Sequence, residues 1–199
     1  LLDATDAALI DCVVAGNRAV RGGGVAVLQA HLMARDLVVR ANVAEVGPRD
    51  QDGHGGGLFL HFSPGTTLEG GLIAHNKAGR GGGIYAEDSA LTLESVRVES
   101  NRVGQGDFLD QCGEGGGLYA FAGQIVLRGS DFVDNLASGS STRGGGARLV
   151  LSKARIRGGS FVGNAAGAFW PDTWRYPSDG GGLSSECSPG VDGVLFEGN

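Results

Sequence analysis

Three cysteines in 199 residues are too few for a disulfide framework, and five prolines leave little to interrupt regular structure. Three of those prolines, Pro48, Pro171 and Pro177, fall in segments of variable length, so the regular stretches are almost free of them. No apolar run approaches the ~20 residues that cross a bilayer, and Leu1 does not begin a charged-then-apolar leader, so no direct membrane insertion of this segment is expected. Sixteen basic against 22 acidic residues give a net charge of -6 with no basic stripe in view, which makes nucleic acid and anionic membranes poor partners. His31, His54, His61 and His75 fall at unrelated positions and form no His-x-x-x-His pair and no mixed Cys/His set; no metal and no cofactor are expected. Of the cysteines, Cys12 lies in an apolar column and reads as a buried free thiol, while Cys112 and Cys187 fall in or near turns too far apart to pair unless a loop folds over.

What the chain has in abundance is glycine, 38 residues, about 19 % against a usual ~7 %. Six Gly-Gly-Gly triplets begin at Gly22, Gly55, Gly81, Gly115, Gly144 and Gly180, and each is followed by Asn42, Asn76, Asn101, Asn135, Asn164 or Asn199 at distances of 20, 21, 20, 20, 20 and 19 residues. Between each asparagine and the next triplet the spacing ranges from four to fifteen residues. The chain is therefore a repeat array with a constant core and one elastic corner. Asn17 closes a partial unit before the first triplet, which makes residues 1–199 read as one segment of a longer repeat protein.

Counting back from the asparagines, the third preceding position holds Val14, Val39, Ile73, Val98, Phe132, Phe161 and Phe196. The eighth holds Leu9, Ala34, Leu68, Leu93, Leu127, Ile156 and Val191, and the residue after each triplet is also apolar. Runs such as Leu91-Thr92-Leu93 and Val96-Arg97-Val98 alternate with period 2, as strands with one buried face do, and no ten-residue stretch carries a helical stripe. The expected fold is all-β: a parallel β-solenoid with three short strands per coil, each coil rising ~4.8 Å. In it the triplets supply positive φ and close backbone approach, and the asparagines satisfy turn groups and stack on one another from coil to coil. A phosphate-cradling role for the glycines is excluded, because the triplets lead into Val-Ala-Val, Leu-Phe-Leu and Ile-Tyr-Ala rather than Lys and Ser or Thr.

Gly-Gly-Gly-Ile at 81–84 and the Phe-x-x-Asn runs at 132–135, 161–164 and 196–199 resemble the paired Gly-Gly-Ala-Ile and Phe-x-x-Asn repeats of the chlamydial polymorphic outer-membrane protein family. The resemblance runs through essentially the whole chain, with glycine in place of the family's alanine and Val or Ile in place of Phe in the first units. It implies a right-handed parallel β-helix and an adhesive or structural surface domain.

The elastic segments 18–21, 43–54, 77–80, 102–114, 136–143 and 165–179 emerge from one corner and are expected to gather on one side of the rod. The last of them holds both tryptophans; Trp170, Trp174, Arg175 and Tyr176 are the expected contact surface for a protein partner or a surface glycan, with Asp107 and Asp110 beside it. The expected function is an extracellular or cell-surface structural or adhesive segment, a rigid spacer with interaction loops, open to assembly into a filament or larger surface structure. The alternative is a carbohydrate-active enzyme, a polysaccharide lyase or hydrolase. Its acids would come from Asp107, Asp110 and Glu114, with Asp50 and Asp52 nearby, but these read as solvated loop charge and no catalytic set lies in register on consecutive strands.

Overall fold

The computed structural model describes residues 1–45, 53–104, 113–139, 141–167, 178–187 and 189–199, and it is a right-handed parallel β-helix. Three ladders of seven parallel strands run along the rod. The first comprises Leu2–Asp3, Val25–Leu28, Leu58–His61, Ile84–Glu87, Leu118–Phe121, Ala147–Val150 and Leu183–Ser185. The second comprises Ala7–Ile10, His31–Arg35, Gly65–Glu69, Ala90–Glu94, Gln124–Arg128, Lys153–Arg157 and Gly190–Asp192. The third comprises Val13–Ala15, Val38–Arg40, Leu72–Ala74, Arg97–Glu99, Asp131–Val133, Ser160–Val162 and Leu195–Glu197. Register is strict: Val39, Ile73, Val98, Phe132 and Phe161 are successive Cα partners.

Period-2 alternation sends one face of every strand inward, and stacking aligns those residues into columns. Val39, Ile73, Leu93, Val98, Leu127, Phe132, Ile156 and Phe161 are buried, while Leu9 and Val14 in the first coil are half-buried against the same core. Phe132 and Phe161 stack at 4.8 Å between ring centroids, and Phe161 and Phe196 at 5.1 Å, so the column that begins in valine ends in an aromatic pile. Cys12 is half-buried against the core rather than fully buried, because it belongs to the first coil, which is stacked on one side only. Cys187 is also free and half-buried; Cys112 lies outside the described residues.

Most corners turn on one residue in the left-handed region, and two of those after the second ladder on a pair, Gly70–Gly71 and Gly158–Gly159. Gln29, Phe62, Asp88, Ala122 and Leu151 end the first-ladder strands at φ 48–52°. A single such residue turns the chain while its N–H still reaches the next coil, as in Phe62 N to Glu87 O at 3.1 Å and Ser95 N to Arg128 O at 2.8 Å.

Two findings differ from the three-strand expectation. A fourth ladder of six very short strands follows the asparagines (Arg18–Ala19, Val43–Ala44, Lys77–Ala78, Arg102–Val103, Leu136–Ser138, Ala165–Gly167). The elastic corner therefore begins two residues later than the spacing suggested, because Ala44, Ala78, Val103 and Ala137 turn inward and are buried. A shorter ladder of Gly113–Glu114, Thr142–Arg143 and Ser178–Asp179 leads into the triplets.

The triplets divide their work by position. Gly115 takes φ +66°, a turn conformation costly to any residue with a Cβ. Gly116 and Gly117 are close-approach positions, where an added Cβ would lie 2.4 Å from Gly145 O and 2.5 Å from Gly146 O of the next coil. The asparagines form one continuous ladder from Asn17 to Asn199. At each step the next Oδ1 accepts from both the backbone N and the Nδ2 of the asparagine before it, as in Asn76 to Asn101 at 3.0 Å for both bonds. The other Nδ2 hydrogen goes to the carbonyl of an inward residue, Val39 for Asn76 and Ile73 for Asn101. A smaller hydroxyl ladder at the first corner joins Ser63 N to Ser89 Oγ at 3.0 Å.

Candidate functional site

The outer face of the first ladder carries the densest chemistry among the described residues. Three columns in register build it. The residue before each triplet is Arg21, His54, Arg80, Glu114, Arg143 and Asp179, and these are parallel partners along the rod. The second residue after each triplet is Ala26, Phe59, Tyr85, Tyr119, Arg148 and Ser184, also in register. Two residues further on come Leu28, His61, Glu87, Phe121 and Val150.

The rings form an outward-facing stack. Phe59 and Tyr85 lie 5.4 Å apart and Tyr85 and Tyr119 5.2 Å, while His54 lies 4.3 Å from Tyr85 at an interplanar angle of 3°. The guanidiniums of Arg21 and Arg80 sit over Phe59 and Tyr119 at 6.0 and 5.9 Å. Such ring pairs contribute about 0.5–1.5 kcal/mol each beyond area burial. Although they point away from the core, Phe59, Tyr85 and Tyr119 are only 3, 4 and 6 % exposed, so this face holds a second, smaller hydrophobic cluster.

Next to the rings lies a charge network centred on Glu114. Its carboxylate is 3.3 Å from Arg80 Nε and 3.8 Å from both Arg143 Nη1 and Arg148 Nε. Arg143 also pairs with Asp179 at 3.3 Å, and Arg148, itself buried, donates to Ser184 Oγ at 3.0 Å and to Glu186. Buried charges persist only where such partners replace water. Tyr85 Oη donates to Glu87 at 3.3 Å, and His61 Nε2 approaches the same carboxylate at 3.8 Å. Burial, chiefly, pushes both phenols above their ordinary range, aided by Glu87 for Tyr85 and by Glu114 for Tyr119. At neutral pH the two tyrosines therefore remain neutral hydrogen-bond donors.

This arrangement corrects three expectations. Glu114 is a buried, three-fold paired hub and not solvated loop charge, because the short ladder before the triplet turns it toward neighbouring coils. His54 does not occupy an arbitrary place; it continues the column of residues that precede the triplets. A basic stripe does exist, on the second ladder, where Lys153, Arg155 and Arg157 alternate outward and are exposed. Signals for all three were available: the columns appear on counting from the triplets, and Lys-Ala-Arg-Ile-Arg is a period-2 basic run.

Trp170, Trp174, Arg175, Tyr176, Asp107 and Asp110, with Asp50 and Asp52, lie outside the described residues. Gly22, Gly55, Gly81, Gly115, Gly144 and Gly180 take positive φ. Among the described residues, no three His, Cys, Asp or Glu side chains converge as a metal site would require, and no helix is long and apolar enough to cross a membrane. Comparison with models of known families, with curated proteins and with solved structures gives no match.

Proposed function

We propose that the chain is a rigid β-helical segment of an extracellular or cell-surface structural or adhesive protein, a spacer whose long corners carry the contacts. The observation that carries this reading is the indifference of the ladder to corner length. Successive asparagines are 25, 34, 25, 34, 29 and 35 residues apart, yet every step keeps its Oδ1 acceptor pattern at 2.9–3.1 Å. A fold that holds its axis while accepting insertions at one corner suits the display of variable loops. The resemblance of the Gly-Gly-Gly-Ile and Phe-x-x-Asn units to the polymorphic outer-membrane protein repeats supports the same setting.

Contact with a protein partner or surface glycan is assigned to Trp170, Trp174, Arg175 and Tyr176, with Asp107 and Asp110 beside them. Rigid aromatic and guanidinium groups are the usual anchors of such contacts. Replacing residues 168–177 with a four-residue link should leave the far-ultraviolet spectrum and unfolding midpoint nearly unchanged while abolishing glycan-array binding or self-association. A variant that keeps both would remove the corner as the contact surface. The second reading, a carbohydrate-active enzyme, draws on the convergence of His61, Glu87 and Tyr85 on one outer strand face. Turnover of an acidic polysaccharide, lost in Glu87→Gln or Asp107→Asn, would place it first.

A further inference from the structure

The strand Lys153–Arg157 presents three cations on one exposed face while Ala154 and Ile156 turn inward. Elsewhere on this ladder exposed arginines are neutralised by a neighbouring coil, Arg35 by Glu69 at 3.4 Å and Arg128 by Glu94. Lys153, Arg155 and Arg157 have no ion-pair partner among the described residues. Alternate side chains on a strand stand ~6.6 Å apart, so the row is about 13 Å long. Its backbone is held on both sides, by Gln124–Arg128 and by Gly190–Asp192. Gly190 is the register partner of Arg155 and Asp192 that of Arg157. Where Gly190 has no side chain, Arg155, Arg157, Gly190, Val191 and Asp192 line an open depression of about 390 Å³.

We propose that this face binds a linear acidic polysaccharide, a polymer with a carboxylate or sulfate on successive sugars. Guanidiniums match either anion with paired hydrogen bonds, and a row fixed by the ladder meets repeated charges with little ordering cost. Asp192 and Gln124 flank the row as partners for sugar hydroxyls, and Gly190 leaves a flat floor for a ring edge. Single-stranded nucleic acid fits less well. No aromatic residue stands on the outer face of Gln124–Arg128, Lys153–Arg157 or Gly190–Asp192 to stack a base, and the chain's net charge of -6 opposes a long polyphosphate. The residues of this site are separate in sequence from the corner at 168–177.

The test is calorimetric titration of the full 199-residue chain with oligogalacturonate, a heparin oligosaccharide, neutral dextran oligomers and a single-stranded oligonucleotide of matched charge. At least one acidic glycan is expected to bind ten-fold or more tighter than dextran and the oligonucleotide, and to weaken as salt rises. The arm that binds identifies the anion. Arg155→Ala/Arg157→Ala should weaken binding at least ten-fold with an unchanged unfolding midpoint, and Arg155→Lys/Arg157→Lys by less. Binding by neither acidic glycan, equal binding of the oligonucleotide, or parental affinity in the alanine variant overturns the proposal.

Discussion

Replacing Asn101 with alanine isolates what the amide ladder contributes. Asn101 is fully buried, and its Nδ2 donates to Ile73 O at 2.8 Å and to Asn135 Oδ1 at 3.0 Å. Its Oδ1 accepts from both the backbone N and Nδ2 of Asn76 at 3.0 Å. Alanine removes these four bonds. Asn135 Oδ1 keeps the bond from the residue-101 backbone N, but two donors on Asn76 and the Ile73 carbonyl lose their side-chain partner inside the rod. Each stranded group costs about 1–3 kcal/mol, and the vacated polar space admits a water that recovers part of it, so a total near 3–5 kcal/mol is expected. Asn17 is the control. It donates to Ala15 O and Asn42 Oδ1 from an exposed position, and Asn42 Oδ1 retains the Asn17 backbone N at 2.9 Å after truncation. Asn17→Ala should cost under ~1 kcal/mol, since no buried donor is left stranded. Urea unfolding of the two variants, followed by circular dichroism with the slope compared to detect loss of cooperativity, reads the difference directly. Costs equal within ~1 kcal/mol would refute the ladder as a cooperative element and reduce each asparagine to a local turn residue.

Two further outcomes follow from the same geometry. Tyr85 and Tyr119 have phenols raised in the folded state, so their contribution is complete below the unfolded-state value of 10.0 and declines as pH climbs from there toward the folded values. Stability should fall above pH 10, by about 1.4 kcal/mol per pH unit for Tyr85 with Tyr119 acting in the same direction, and tyrosinate absorbance should appear together with unfolding; Tyr85→Phe/Tyr119→Phe should flatten that slope, and an unchanged slope would count against the burial of these rings. Gly116→Ala places a Cβ 2.4 Å from Gly145 O and 2.7 Å from Leu136 C, backbone on both sides, and should cost about 2–3 kcal/mol in thermal unfolding. Gly167→Ala meets nothing within 4 Å among the described residues and should be neutral or stabilising by up to ~1 kcal/mol, so similar losses at both positions would contradict the close-approach role.

The inward columns were legible because a parallel stack repeats one side chain's environment in every coil; Val39, Ile73, Val98, Phe132 and Phe161 share a core environment and a residue class. The outer columns were harder for the opposite reason. Arg80, Glu114, Arg143 and Asp179 occupy one column but alternate in sign, since neighbouring coils stabilise each other through opposite charge and not through likeness. Similarity of residue type therefore finds the core and hides the face. Ala44, Ala78, Val103 and Ala137 escaped notice because strands of two or three residues carry too little periodicity to separate from a variable loop. The row at Lys153, Arg155 and Arg157 escaped because three cations disappear in a composition that is acidic overall.

Corner length has a pattern over the first coils of the stack. The first four asparagine steps alternate 25, 34, 25 and 34 residues, which places the two 34-residue coils two steps, ~9.6 Å, apart. In sequence, the short corners 18–21 and 77–80 thus alternate with the long ones at 43–54 and 102–114. On the outer face of the first ladder the same alternation appears chemically, with Arg21 and Arg80 entering from the short corners and His54 and Glu114 from the long ones. Short corners supply the cations that sit over the rings, and Glu114, from a long corner, anchors Arg80 at 3.3 Å. The residues that precede the triplets thereby join the end of each corner to the aromatic and ionic face of the rod.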